Sequence, residues 1–230
     1  MSDGSRIPEA DRPPASVRPD RRARRRQETI EEILDIALEV MAEEGVNGLT
    51  LAEVARRLGV QPPSLYKYFD SLMGLYDSLF RRGQHAHLEA MRAAMERTEP
   101  GLDALQAGLE ASGRWCLANG AIAQLMFWRP VPRFEPSADS MAPSREMVEL
   151  QRGALADAVA AGQLGAGADS DEAVFAVSIL VSGAIGQAIA NEPELAWGDG
   201  RFSPLLARLV DALTVLYPPG DRVIAAPRRR

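Results

Sequence analysis

The chain has 230 residues, a formal net charge of −6, two histidines and one cysteine. That length allows one large domain or two modest ones, with a core of useful size either way. Cys116 alone permits no internal disulfide and suits a reducing compartment. No run approaches the length needed to span a membrane, and the Arg- and Pro-rich N-terminus lacks the apolar segment of a signal peptide. A soluble, cytoplasmic protein with no membrane partner is expected. Residues 1–70 carry 11 basic and 13 acidic side chains, and residues 71–230 carry 15 and 19, so neither part is basic overall. Any affinity for a polyanion must therefore be local.

Residues 1–25 hold several prolines and little apolar content, which predicts a disordered arm. Its last part, Arg18 to Arg26, sets six arginines against Asp20. Arg24, Arg25 and Arg26 are either minor-groove contacts beside a DNA-binding unit or part of a solvated tail. Residues 27–44 are predicted helical, with Ile30, Ile33, Leu34, Ala37, Leu38 and Met41 as the buried stripe and Gly45 as the stop.

Leu49–Phe69 reads as two short helices joined by a tight turn. Thr50 and Glu53 fit a capping box, and Leu51, Val54, Ala55 and Leu58 recur at helical spacing. Gly59 suits a left-handed turn, Val60 a corner plug, and Pro62 the first turn of a new helix. This is helix-turn-helix geometry, whose second helix lies in a DNA major groove. Leu65 and Phe69 belong to the core. Gln61, Pro63, Ser64 and Lys67 point away from it, and Tyr66 and Tyr68 carry hydroxyls that reach phosphates or else serve structure alone. Thr50, at the mouth of the first helix, is a further DNA-side candidate.

Ile33, Leu34 and Ala37, followed by Gly59, Val60, Leu65, Tyr66, Tyr68 and Phe69, resemble the N-terminal signature of the TetR family of bacterial repressors. The resemblance covers roughly Ile30 to Leu79. It implies phosphate contacts from Ser64, Tyr66 and Tyr68, and base contacts from Gln61, Pro63 and Lys67. It also implies a small-molecule site in the C-terminal half and a homodimer on a palindromic operator in double-stranded DNA. Leu72 stands where the family often has a lysine, which removes one phosphate contact.

Asp70-Ser71 caps a long helix predicted from Leu72 to about Glu96. His85 and His87 on it point about 200° apart and cannot share one metal. No metal or cofactor is expected. Further helices are predicted from Pro100-Gly101 to about Leu117, Ile122 to Trp128, about Ser144 to Gly162, Ala173 to Ala190 and Ser203-Pro204 to Tyr217. Pro130, Pro132, Pro136 and Pro143 mark residues 129–143 as a loop.

Met91, Trp115, Phe127, Trp128, Phe134, Met147 and Phe175, with Arg114 and Gln124 as polar groups, are either a ligand pocket or plain core. Ala173–Ala190 is apolar nearly all round. Ile179, Gly183, Gly186, Leu206, Leu209 and Leu213 are therefore candidates for a dimer interface, unless both terminal helices are internal to a monomer.

The expected fold is all-α: an N-terminal three-helix helix-turn-helix domain (residues 26–70), a larger helical ligand-binding and dimerisation domain (71–220), and a tail (221–230). The expected function is a ligand-responsive transcriptional regulator, a repressor released from its operator by a small apolar or amphipathic effector. The alternative is a helical sensor acting through protein contacts without DNA. An enzyme is not expected, because no Gly-rich phosphate loop, zinc spacing or Ser-His-Asp set appears.

Overall fold

The computed structural model describes residues 21–220, which are all-helical, with no strand among them. The first twenty residues of the expected arm and the whole expected tail lie outside the described residues. Among the described residues the α-helices are α1 (Arg21–Glu44), α2 (Leu51–Leu58), α3 (Leu72–Met95), α4 (Leu102–Ala118), α5 (Gly120–Trp128), α6 (Ala142–Ala160), α7 (Asp171–Asn191), α8 (Leu205–Asp211) and α9 (Leu213–Leu216).

Helix α1 begins six residues before the predicted start, so Arg21–Arg26 are helical rather than part of a disordered arm. Apolar periodicity cannot reveal this extension, because polar pairs hold it. Arg24 bonds Glu28 at 2.9 Å, Gln27 bonds Glu31, and the Thr29 hydroxyl donates to the Arg25 carbonyl. Ile33, Leu34, Ala37, Val40 and Met41 bury the inner face.

Thr50 caps α2 by accepting from the Glu53 amide at 3.2 Å. The other half of the predicted capping box is absent. Glu53 is instead held by Arg56 and Arg57, and Arg57 reaches on to Glu43 of α1 at 2.7 Å. Gly59 ends α2 at φ 73°, and the Val60 amide closes back on the Ala55 carbonyl at 3.0 Å. Val60 remains exposed and does not plug the corner. The next segment, Pro62–Lys67, is a 3-10 helix rather than an α-helix. Two adjacent prolines remove two amides from so short a run.

The core is continuous across residue 70. Side chains of α1, α2, Leu65, Phe69 and the first half of α3 pack with Ile122, Leu125 and Met126 of α5 and with Val131 and Phe134 of the following loop. Phe134, expected in a ligand pocket, lies instead between Tyr76 and Phe80, with ring centroids 5.8 and 6.0 Å away. A carboxylate locks this loop to α3. Asp77 accepts from the Ser137 amide at 2.8 Å and from the Ser137 and Ser140 hydroxyls at 2.9 Å each.

A second core joins α4, α6, α7 and α8. The predicted last helix is split, because the Thr214 hydroxyl bonds the Asp211 carbonyl at 2.7 Å and competes with the helical ladder. Leu206 and Leu213 are buried in this core and unavailable to a partner, while Leu209 is half-buried. The expectation that no run approaches membrane-spanning length is corrected by α7, which qualifies by length and composition. One side of α7 packs on α4, α6 and α8. Its other side presents Phe175 and Ile179, 62% and 72% exposed.

Tyr76 is fully buried, and its hydroxyl donates to the Val46 carbonyl at 2.6 Å. Replacing it in Tyr76→Phe leaves that carbonyl unpaired and is expected to cost about 1–2 kcal/mol. The urea midpoint at fixed protein concentration reads this directly, and an unchanged midpoint contradicts it.

Candidate nucleic-acid interface and interior groove

The turn after α2 is anchored from below and bare above. Leu65 and Phe69 are buried, while Gln61, Pro63, Tyr66 and Lys67 are exposed; Ser64 and Tyr68 are half-buried. Thr50 is also exposed, though its hydroxyl is engaged as the α2 cap. The three arginines of α1 are placed differently. Arg24 pairs with Glu28 and Arg25 stays exposed, but Arg26 turns onto the recognition turn itself. Its guanidinium donates to the Lys67 carbonyl at 3.1 Å and lies 5.5 Å from the Tyr68 ring centroid. It thus fixes the segment that carries Tyr66 and Lys67.

Salt-bridge electrostatics frame the same unit. Glu53, hydrogen-bonded by Arg56 and then Arg57, has its carboxyl lowered to about 2. Both arginines are thereby tied to a carboxylate, which leaves Lys67 as the cation on the exposed turn. Leu72, at the start of α3, packs against the core instead of facing outward.

The expected pocket side chains do not come together in one cavity. Phe127, Trp128, Ser182 and Ile185 line a groove of about 110 Å³ between α5 and α7. It adjoins a wider hollow of about 330 Å³ bounded by Gln124, Trp128, Pro130, Gly186, Ile189 and Ala190. Gly186 faces Trp128, and Gly183 is open to solvent. Met91 and Met147 form a small buried cluster with Leu88 where α3 meets α6. Arg114, exposed and near Glu110, and Phe175, on the outer face of α7, line neither cavity.

Trp115 belongs to a feature the sequence reading missed. His87 is only 3% exposed; it stacks on Trp115 at 5.0 Å and lies perpendicular to the Phe127 ring at 5.7 Å. Its Nε2 lies 2.6 Å from the Ser112 hydroxyl. Burial lowers its pKa from 6.5 to about 4, so the imidazole is neutral near pH 7. Gln84, one turn earlier, is 4% exposed. The i, i+3 spacing of Gln84 and His87 was the available signal, but only packing partners reveal that this face is inward. His85 faces solvent, so the two histidines diverge as their spacing requires. The Cys116 thiol, pushed up to about 12 by burial, is unreactive.

An exposed turn on a buried anchor, followed by a long helix into a second helical unit, defines a helix-turn-helix protein of the DNA-binding class. Residues 33–79 match the model for bacterial regulatory proteins of the tetR family. The tetracycline repressor protein class C of Escherichia coli is 29% identical over 196 residues, or 83% of this chain and 82% of that protein. A protein of unknown function from Rhodococcus sp. RHA1 has a TM-score of 0.69 at 20% identity, over 82% of this chain and 94% of the other. Bacillus subtilis FadR, solved in complex with stearoyl-CoA, has a TM-score of 0.62 at 17% identity, over 80% and 96%. These last two likenesses concern the fold alone. The chain is TetR-like along most of its length, with a tetR-family segment at residues 33–79 and the helix-turn-helix of a DNA-binding transcriptional regulator.

The His87 environment has a measurable consequence. Its folded pKa of about 4 lies below the unfolded value of 6.5, so the unfolded chain binds the extra proton between those pH values. Stability is therefore expected to fall as pH drops through that window, by up to about 3 kcal/mol. His87→Phe keeps the ring and removes this slope. Urea unfolding of both proteins at pH 7 and pH 4.5 tests it; equal slopes contradict it.

Proposed function

We propose that the chain is a ligand-responsive repressor that binds a palindromic operator as a homodimer and releases it when a small effector occupies the α5–α7 groove. The observation that carries this reading is the recognition turn, exposed at Gln61, Pro63, Tyr66 and Lys67 while Arg26 and Leu65 hold it in place. Gln61, Pro63 and Lys67 meet bases; Ser64, Tyr66 and Tyr68 meet phosphates, and Arg24, Arg25 and Thr50 approach the backbone. Residues 26–70 form the DNA-reading unit, and residues 71–220 carry effector binding and dimerisation. The cytoplasm is where such a protein meets its DNA.

The homodimer rests on α7. Phe175 and Ile179 form an apolar patch exposed among the described residues, continued by Gly183, whose lack of a side chain permits close helix approach. Exposed Val215 and Leu216 on α9 supply a second apolar strip, in place of Leu206 and Leu213. Two copies related by a two-fold axis cover these faces and set two recognition turns on one duplex. The groove is mostly apolar with Gln124 and Ser182 at its edge, which suits a small apolar or amphipathic effector. Release requires that effector favour the DNA-incompetent conformer; equal affinity for both shifts nothing.

Selection of bound DNA from a random pool, followed by gel shifts on the winner, tests the whole reading; recovery of no inverted repeat would sink it. Lys67→Ala is expected to weaken the selected site and to lower the salt slope, log K against log salt, by up to about 1 if Lys67 also neutralises a phosphate. Ile179→Arg is expected to shift the protein to monomer in sedimentation and to reduce operator affinity together. A variant that remains dimeric contradicts the α7 interface.

A further inference from the structure

Phe127 separates two incomplete environments. Outside it is the groove it shares with Trp128, Ser182 and Ile185. Also packed on its ring, but not lining that groove, is His87, with rings perpendicular at 5.7 Å and Gln84 one turn away on the same face of α3. Both residues are more than nine-tenths buried, yet Nδ1 of His87 and Oε1 of Gln84 have no hydrogen-bond partner. Buried polar atoms left unpaired are costly and rare, and two on successive turns point to a polar group that completes them.

The donor pattern follows from the neighbours. The Cys116 thiol is in hydrogen-bond contact with Ser112, and the Ser112 hydroxyl faces His87 Nε2. Ser178 of α7 donates to its own helix carbonyl, whereas Ser112 is directed to the imidazole. The Ser112–Nε2 contact leaves Nδ1 as a donor or an acceptor according to the tautomer, and a group that can both give and take a hydrogen bond meets either. Gln84 Oε1 offers an acceptor. Their shared complement is a group that both accepts and donates.

Charge is not part of that complement. Helix α5 carries no charged residue. The nearby charges of α3 and α4 are engaged at the surface, Arg92 with Glu89 and Glu146, and Arg114 near Glu110. Arg129, at the end of α5, turns toward Met141. An anionic or cationic end group at His87 would lack a counter-ion. Trp115, Phe127 and Trp128 supply flat apolar faces for the remainder of a ligand.

We infer that the α5–α7 groove continues past a rotated Phe127 to Gln84 and His87, and takes a flat, uncharged aromatic molecule with a primary amide or hydroxyl at its buried end. This rests on the effector reading above and gives the effector's chemical class. The test uses the full-length protein at neutral pH with 2-naphthamide, 2-naphthoate and naphthalene as probes. With two histidines in the chain, ¹⁵N-imidazole NMR reports His87 and His85 separately.

Naphthamide is expected to bind saturably, to move the His87 Nδ1 resonance but not that of His85, and to bind about tenfold more tightly than naphthoate or naphthalene. His87→Phe and Gln84→Leu are each expected to abolish the amide's advantage while naphthalene still binds, which also shows that the variants fold. Naphthoate binding as tightly as the amide, amide binding with an unmoved His87 resonance, or no saturable amide binding at millimolar concentration each overturn the inference. Gel shifts separate this from the regulator reading. DNA binding without naphthamide binding overturns the ligand chemistry alone. Naphthamide binding that leaves operator affinity unchanged upholds that chemistry and overturns the effector role.

Discussion

The DNA-reading unit cannot close its own core. Helices α1 and α2 with the recognition turn are too few to bury Ile33, Leu34, Met41, Leu65 and Phe69 on all sides, and the missing wall comes from α5 and the loop after it. Leu125, Met126, Val131 and Phe134 fill that place, with Asp77 tying the loop to α3 through Ser137 and Ser140. The apolar contact that stabilises the reading head is therefore made by the same short helix that borders the groove. Close-packed interiors transmit displacement because they have few voids to absorb it. A shift in α5 large enough to move Phe127 must be felt at Leu125 and Met126.

Electrostatics set a complementary limit. The chain is acidic overall, and several of its arginines are committed to carboxylates within the fold, as Arg57 is to Glu43 and Glu53. Affinity for a polyanion must then come from few groups held in register rather than from bulk charge. The Arg26 contacts with Lys67 and Tyr68 matter for this reason. Ordering the turn before binding reduces the entropy lost when it meets a rigid duplex.

Local chemistry explains which parts of the fold were legible in the sequence. Thr50, Gly59 and Ser71 act through neighbours within a few residues, so capping and turn rules place them correctly. The buried stripe of α1 follows from periodicity for the same reason. Failures begin where a side chain's environment comes from distant segments. Phe134 lies beside Tyr76 and Phe80 because a proline-rich loop folds back over fifty residues of chain. Leu206 and Leu213 have the stripe of an interface helix, yet α4 and α7 already cover them. His87 looks like a surface histidine until Ser112 and Trp115 are seen to flank it. Local rules also failed where a local competitor intervened: paired prolines permit entry to a helix but withhold two of its bonds, which makes Pro62–Lys67 a 3-10 helix, and Arg56 and Arg57 draw Glu53 out of the capping box.

These elements together favour a switch of limited amplitude. Helix α3 runs unbroken from the capped Ser71 beside the recognition turn to the Met91–Met147 cluster, and it carries Asp77, Gln84 and His87 on the way. A rigid helix that touches both ends converts a small rotation at one into a displacement at the other. The polar lock at Asp77 and the apolar lock at Phe134 hold α3 against α5 in the described arrangement. Because His87 faces Phe127 across that same pair of helices, an occupant that wedges between them works against both locks at once. Under the proposed effector reading, the free energy for the change comes only from stronger contacts in the opened state, and the unpartnered atoms of Gln84 and His87 are where such contacts would be gained.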